Sequence, residues 1–171
     1  MDAATKEILW QQFGAAIAML ENAIDACPER VWSDRSRQPE YWYVAYHTLF
    51  WLDLYGFGSV EGYEPPSPFT LEELDPAGII PARPYTQLEL KAYLEQGRQR
   101  TRAVIQGLTD ETARKRHVFR WGDVSAVELL LYNMRHVQHH AGQLNLILRQ
   151  TTDSAPGWVG RADRVRAASG S

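Results

Sequence analysis

Apolar residues recur at every third or fourth position over four long stretches of the chain. Between about Thr5 and Ala26, the residues Trp10, Phe13, Ile17, Leu20 and Ile24 fall on one side of a helix. This is the spacing that a buried face with a 3.6-residue period requires, and Pro28 ends the segment. The second stretch runs from about Pro39 to Tyr55, with Tyr43, His47, Phe50, Trp51 and Leu54 on a shared face. Pro39 suits the first helical position and Gly56 suits the exit. The third opens at TQLE, where the Thr86 hydroxyl can cap the helix and Glu89 can reach back. It continues through Leu90, Leu94, Gly97, Thr101, Val104 and Leu108 as a narrow stripe, and Gly107 punctuates the end. The fourth opens at SAVE, with Ser125 and Glu128 as a second capping pair, and runs to about Gln150.

The connections between these stretches differ in kind. Residues 57–85 hold six of the nine prolines, with one short helical turn expected at LEEL. Irregular connections of this length are uncommon in compact domains and often functional. Residues 109–124 form a second connection, with a short helix at TDETARK and a weak strand candidate, HVFRW (117–121). No strand pattern competes with any long segment. From Thr151 onward the chain reads as an extended tail in which Trp158 is free to dock. The pattern predicts an all-α fold: a four-helix bundle over residues 1–150 with a long crossover between helices 2 and 3, followed by the tail 151–171.

Composition narrows the function classes. A chain of 171 residues, 44% hydrophobic and 23% charged, is long enough for one domain with a sizeable core. A net charge of −3 supplies no general basic field for nucleic acid or an acidic membrane, and RQRTR (98–102) is read as lying on one exposed helix face. No apolar run approaches the roughly 18 residues of a spanning helix. The start, MDAATKEILW, lacks the basic and apolar blocks of a signal peptide. Cys27 is the single cysteine, so no intramolecular disulfide forms and a reducing, cytoplasmic setting is the simplest reading.

Candidate chemistry gathers in NMRHVQHHAGQL, residues 133–144, which holds three of the five histidines. On a wheel of about 100° per residue, Val127, Leu130, Met134, Val137, Ala141, Leu144 and Leu148 form the core stripe. Leu129, Asn133, His136, His140 and Ile147 share its flank, while His139 lies with Tyr132, Arg135 and Gln143 on the polar side. Histidines at i and i+4 can chelate one ion from a single helical face. His47 stands on the apolar face of the second helix and is the candidate third ligand, because a lone buried imidazole needs a partner. A core hydrogen-bond network of the same three residues is the alternative. One cysteine excludes the Cys-rich zinc sites.

Among the other polar residues, Asn133 either orients a ligand or bonds the bundle. Asp53 is expected on the solvent side and Glu128 in its capping box. His139 and His117 are expected at the surface. Tyr43 and Trp51 are candidates for an aromatic lining, and Arg83, Arg116 and Arg120 are cations either solvated or within reach of the pocket mouth.

A histidine in YHTLFWLD and the pattern HVQHHAGQL in the last helix resemble the DinB-like superfamily, the damage-inducible bacterial four-helix bundles. PFTLEELDPAG and PARPYT are similar as well, and the resemblance covers roughly residues 5 to 150. It implies zinc or nickel held by three histidines, by position His47, His136 and His140. It also implies frequent dimers and, in some members, reactions of low-molecular-weight thiols such as mycothiol-dependent isomerisation and bacillithiol transfer. The expectation is a metal-dependent enzyme, a thiol S-transferase or hydrolase, acting on a small electrophile. A non-enzymatic, metal-stabilised stress-response or binding module is the alternative. Small-molecule partners and a homodimer are expected, with no nucleic acid and no membrane.

Overall fold

Both capping boxes form and set the starts of two helices in the computed structural model, which describes residues 1–162. The Thr86 hydroxyl accepts from the Glu89 N–H at 3.2 Å, and the Glu89 carboxylate accepts from the Thr86 N–H at 2.7 Å. Ser125 and Glu128 repeat the arrangement. Among the described residues the chain forms five helices: α1 (Ala3–Ala26), α2 (Glu29–Trp32), α3 (Tyr41–Phe57), α4 (Gln87–Gln106) and α5 (Ala126–Thr152). Two 3-10 turns, at Leu71–Leu74 and Thr112–Arg114, fall where LEEL and TDETARK predicted short helices. The short helix α2 has no counterpart in the sequence reading. It buries Val31 and Trp32, and the Trp32 indole donates to the Tyr85 carbonyl at 3.0 Å.

The fold is mostly α-helical, but not purely so. Residues 109–124 contain a hairpin, with β1 (Arg116–Phe119) antiparallel to β2 (Gly122–Ser125) and Phe119 opposite Gly122. HVFRW thus supplies most of one strand. The second strand, GDVS, is too short and too polar to stand out in the sequence. It is held because Phe119 and Val124 are buried and Trp121 stacks on Tyr132 of α5 at 3.9 Å between centroids.

α1 and α3 each lie against both α4 and α5. Ile17, Leu20 and Ile24 of α1 meet Leu49 and Leu52 of α3, Leu90 of α4, and Val137, Ala141 and Leu144 of α5, all fully buried in one core. Gly97 lets α4 approach α3, since a Cβ there would lie 2.9 Å from Leu52 Cδ2.

Helix α3 differs from the pattern reading at both ends. It starts at Tyr41 and ends at Phe57, with Gly58 in the left-handed conformation at φ 90°. Gly56 lies inside the helix, where its bare Cα lets the Arg100 side chain lie against the backbone. A Cβ on Gly58 would meet the His117 ring at 2.8 Å, and one ring nitrogen of His117 hydrogen-bonds the Gly58 carbonyl at 2.8 Å. His117 is therefore a half-buried hairpin residue that clasps the end of α3, not a solvated loop residue.

The long connection from 58 to 86 covers the face of α3 that no helix covers. Phe69 stacks on Tyr46 of α3 and on Tyr93 of α4, at 5.9 Å and 4.3 Å, and Tyr63 packs edge-on against Phe50. This cover corrects the placement of Asp53. The residue is fully buried, with Arg100 Nε at 2.6 Å, the Tyr63 hydroxyl at 3.0 Å and Gln96 at 3.4 Å. RQRTR is likewise not one exposed face. Arg98 pairs with Glu21 and Glu95, Arg100 with Asp53, and Arg102 lies over Trp10.

The tail leaves α5 at Asp153 and docks along α1. The Ala162 N–H donates to the Gln11 carbonyl at 2.9 Å, and the Ala162 methyl sits against Gly14. Trp158 remains 75% exposed rather than docking in the core. The rest of the predicted tail, 163–171, lies outside the described residues. No helix among those described is long and apolar enough to cross a membrane.

The Asp53–Arg100 pair gives a prediction about asymmetry. Asp53 cannot reach water, whereas the Arg100 side chain is 31% exposed and can swing out. Replacing one partner of a buried pair costs about 3–5 kcal/mol when the other is stranded. Arg100→Met should therefore destabilise the protein by several kcal/mol, about 3 or more, and Asp53→Asn by clearly less. Urea unfolding midpoints of the two variants measure this, and the reverse order would refute the account.

Candidate metal centre

Contact between α3 and α5 brings together the three histidines that the sequence singled out. His47 comes from α3, and His136 and His140 lie one turn apart on α5. One ring nitrogen of each lies within 4.8 Å of the others, and each residue is partly buried. His136 Nε2 and His47 Nε2 are 3.2 Å apart. That is close to the edge, about 3.4 Å, of a tetrahedron with metal–nitrogen bonds of about 2.1 Å. The three side chains could hold a metal ion.

Hydrogen bonds outside the cluster set the tautomers. A carboxylate only accepts, so Glu73 Oε1, 2.5 Å from His47 Nδ1, keeps the proton there and leaves the lone pair on Nε2. Gln143 Oε1 accepts from His140 Nδ1 at 2.7 Å with the same result. His136 has no such partner, and its Nδ1 is buried without a hydrogen bond. Two neutral imidazole nitrogens that face each other at 3.2 Å repel unless a proton or a cation lies between them. The donor set thus fits a divalent transition ion, which imidazole suits across zinc, nickel, copper and iron.

Burial pushes His136 down to about 3 and His140 down to about 4, with the other histidines adding to the effect. Both are neutral at pH 7, the form that ligates a metal.

Glu73 is the site residue that sequence reasoning missed. It stands on the 3-10 turn of the long connection with its side chain 5% exposed. Besides His47 it accepts from the Trp51 indole at 3.2 Å and from the Tyr43 hydroxyl at 3.1 Å. Tyr43, His47 and Trp51 are spaced i, i+4, i+8 on α3, so one carboxylate reaches a whole helical stripe. Burial and the nearby carboxylate push the Tyr43 phenol up to about 12, which keeps it a donor. The signal available in the sequence was an acidic pair, LEEL, inside a long proline-rich connection opposite that stripe. Gln143 was assigned to the polar side, although it lies three residues after His140.

The other candidates sort differently. Asn133 donates to the Leu52 carbonyl at 3.0 Å and ties α5 to α3, while its Oδ1 has no hydrogen-bond partner. Arg83 pairs with Glu89 and Arg116 with Asp123, both at the surface, and Arg120 is exposed at the hairpin turn. Tyr43 and Trp51 are bound to Glu73. The aromatic wall nearest His136 is instead Tyr55, whose ring packs on Trp51 and Tyr132. His139 is exposed. It joins Gln12, Tyr132, Arg135, His136 and Trp158 in lining a cleft of about 590 Å³ between α5, α1 and the tail.

A mostly helical protein with three convergent histidines on two packed helices defines a class, a helical scaffold built around a candidate metal centre. The sequence profile of the DinB superfamily matches residues 12–144, and the chain belongs to that superfamily. Neither the curated proteins nor the solved structures yield a match to the chain.

The depressed histidines make the metal-free protein acid-sensitive. Their folded values lie below the ordinary 6.5, so beneath that pH the unfolded chain binds more protons than the folded one. Their contribution is fully present above pH 6.5 and is lost as pH falls toward 4 and then 3, by at most about 1.4 kcal/mol per pH unit per histidine. Urea unfolding in the presence of a chelator, at pH 7.5 and pH 5, should show the drop. The double variant His136→Ala/His140→Ala should flatten it.

Proposed function

We propose that the chain is a four-helix bundle with a long crossover between its second and third long helices, and that it is a metal-dependent enzyme. In this reading His47, His136 and His140 hold one divalent transition ion, zinc or nickel. The substrate is a small electrophile, and the nucleophile is a low-molecular-weight thiol or water. The observation that carries the reading is the convergence of three imidazole nitrogens within 4.8 Å, two of them on residues held neutral by burial.

A divalent ion held there makes an adjacent water or thiol far more acidic than in bulk solution. The chain's own residues supply the rest. Glu73 and Gln143 hold the rings of His47 and His140 with their lone pairs turned inward. Tyr55 and Tyr132 form an apolar wall beside His136. The neighbouring cleft, with Arg135 and Trp158 at its rim, has the volume of a small-molecule site. Of the three ligands the cleft touches His136, and this open space at the edge of the site is what supports an enzyme over a purely structural ion.

Cobalt substitution tests the reading. The wild-type protein should take up about one Co²⁺ per chain, with a visible spectrum of low coordination number, and His47→Ala and His136→Ala should lose it. Added 2-mercaptoethanol should then produce a thiolate-to-cobalt charge-transfer band. Metal uptake without that band would remove the thiol and leave water as the nucleophile. No uptake of cobalt, zinc or nickel would overturn the metal reading altogether.

A further inference from the structure

We infer that Glu73 is a positioning residue through which the crossover and the metal site are coupled, so that loading the site locks the crossover onto α3. This rests on the proposed metal reading and adds a role for a segment that supplies no ligand itself.

Besides Glu73, the turn is held by Leu74, which packs partly buried against the core. No residue of Leu71–Leu74 is buried as a whole, and Leu71 is 46% exposed. Its deeply placed polar group is the Glu73 carboxylate, 5% exposed, which is costly to remove from water unless charge or hydrogen bonds compensate. Three donors reach it: His47 Nδ1–H, the Trp51 indole and the Tyr43 hydroxyl. None belongs to a lysine or arginine, and among the described residues its only ion-pair partner is His47, which is charged only when protonated. The contrast with Asp53 is direct, since that buried carboxylate has the Arg100 guanidinium at 2.6 Å.

A cation on the far side of the His47 ring completes the pairing. His47 Nε2 would hold the ion while the carboxylate on Nδ1 fixes the tautomer and raises the basicity of the ligating nitrogen. The coupling is reciprocal. If Glu73 strengthens metal binding, bound metal strengthens the docking of Glu73 and of the turn that bears it by the same factor.

The test uses zinc alone, titrated in competition with a chromophoric chelator into the wild type, Glu73→Gln and Glu73→Ala. Hydrogen exchange of residues 69–75 is followed with and without zinc. Glu73→Gln keeps an acceptor oxygen but removes the charge. It should weaken zinc binding roughly 10- to 100-fold while leaving the unfolding midpoint of the metal-free protein unchanged or higher. Zinc should slow exchange in the crossover of the wild type and have little effect in Glu73→Gln. A purely structural carboxylate would behave otherwise, with its replacement destabilising the metal-free protein and leaving zinc affinity alone. Equal zinc affinity in wild type and Glu73→Gln, or crossover exchange indifferent to zinc, would overturn the inference and leave the metal site standing. No zinc binding by the wild type would overturn both.

Discussion

Helix α3 is enclosed on almost every side, and that enclosure is the constraint on which the rest of the structure depends. Two sides face α4 and α5, and a third lies under the crossover, so that twelve of its seventeen residues are buried. A helix in that position satisfies its own backbone but leaves each polar side chain to find a partner in neighbouring elements. Tyr41 reaches the Ala23 carbonyl on α1, Thr48 turns back to Val44, Asp53 takes Arg100 from α4, and His47 takes Glu73 from the crossover. Even the Leu52 carbonyl accepts from Asn133 on α5. All of these bonds except that of Thr48 tie α3 to another part of the chain, so the polar residues of the most apolar helix fix the arrangement around it.

Two of these partnerships involve buried carboxylates, and they are built on opposite plans. Asp53 meets a guanidinium, a tyrosine hydroxyl and an amide, which compensate its charge within the fold. It joins α3, α4 and Tyr63 of the crossover whatever else is bound. Glu73 meets only donors that are neutral while His47 is unprotonated. The first pair anchors one end of the long connection against α4, and the second ties the middle of it to α3. The connection is thus held at Tyr63 through a charged network and at Glu73 through neutral donors, with Phe69 and Leu74 packed on the core between and beside them.

The sequence carried the helices well because their periodicity and caps are local. Thr86–Glu89 and Ser125–Glu128 need no knowledge of the rest of the chain, and both boxes form as read. The pair His136 and His140 was legible for the same reason, and His47 because an imidazole on an apolar stripe demands explanation. The failures share a cause, namely partners distant in sequence. Asp53 seemed solvent-facing on a wheel because the wheel cannot show that Tyr63 and Phe69 cover that face. Glu73 lies 26 residues from His47 in a segment without periodicity, so nothing local marked it. Gly56 looked like a helix stop and instead admits the Arg100 side chain. The hairpin was half visible, since its first strand has β-branched and aromatic residues whereas GDVS has one buried apolar residue, Val124.

Counting protons shows what the three histidines turn toward one another. Three neutral imidazoles carry three N–H groups and three lone pairs. His47 sends its proton to Glu73 and His140 sends its own to Gln143, so both turn a lone pair toward the cluster. Only His136 has a proton left to offer. Its Nε2–H can meet His47 Nε2 at 3.2 Å, which leaves the buried Nδ1 of His136 without a donor and the lone pair of the half-buried His140 to solvent. A single divalent cation accepts all three lone pairs at once and leaves one N–H unpartnered, the one on His136 Nδ1. The two outer partners, Glu73 and Gln143, impose this arithmetic. By holding the protons on the outside of the cluster they turn the lone pairs of His47 and His140 inward, where the three side chains could hold an ion.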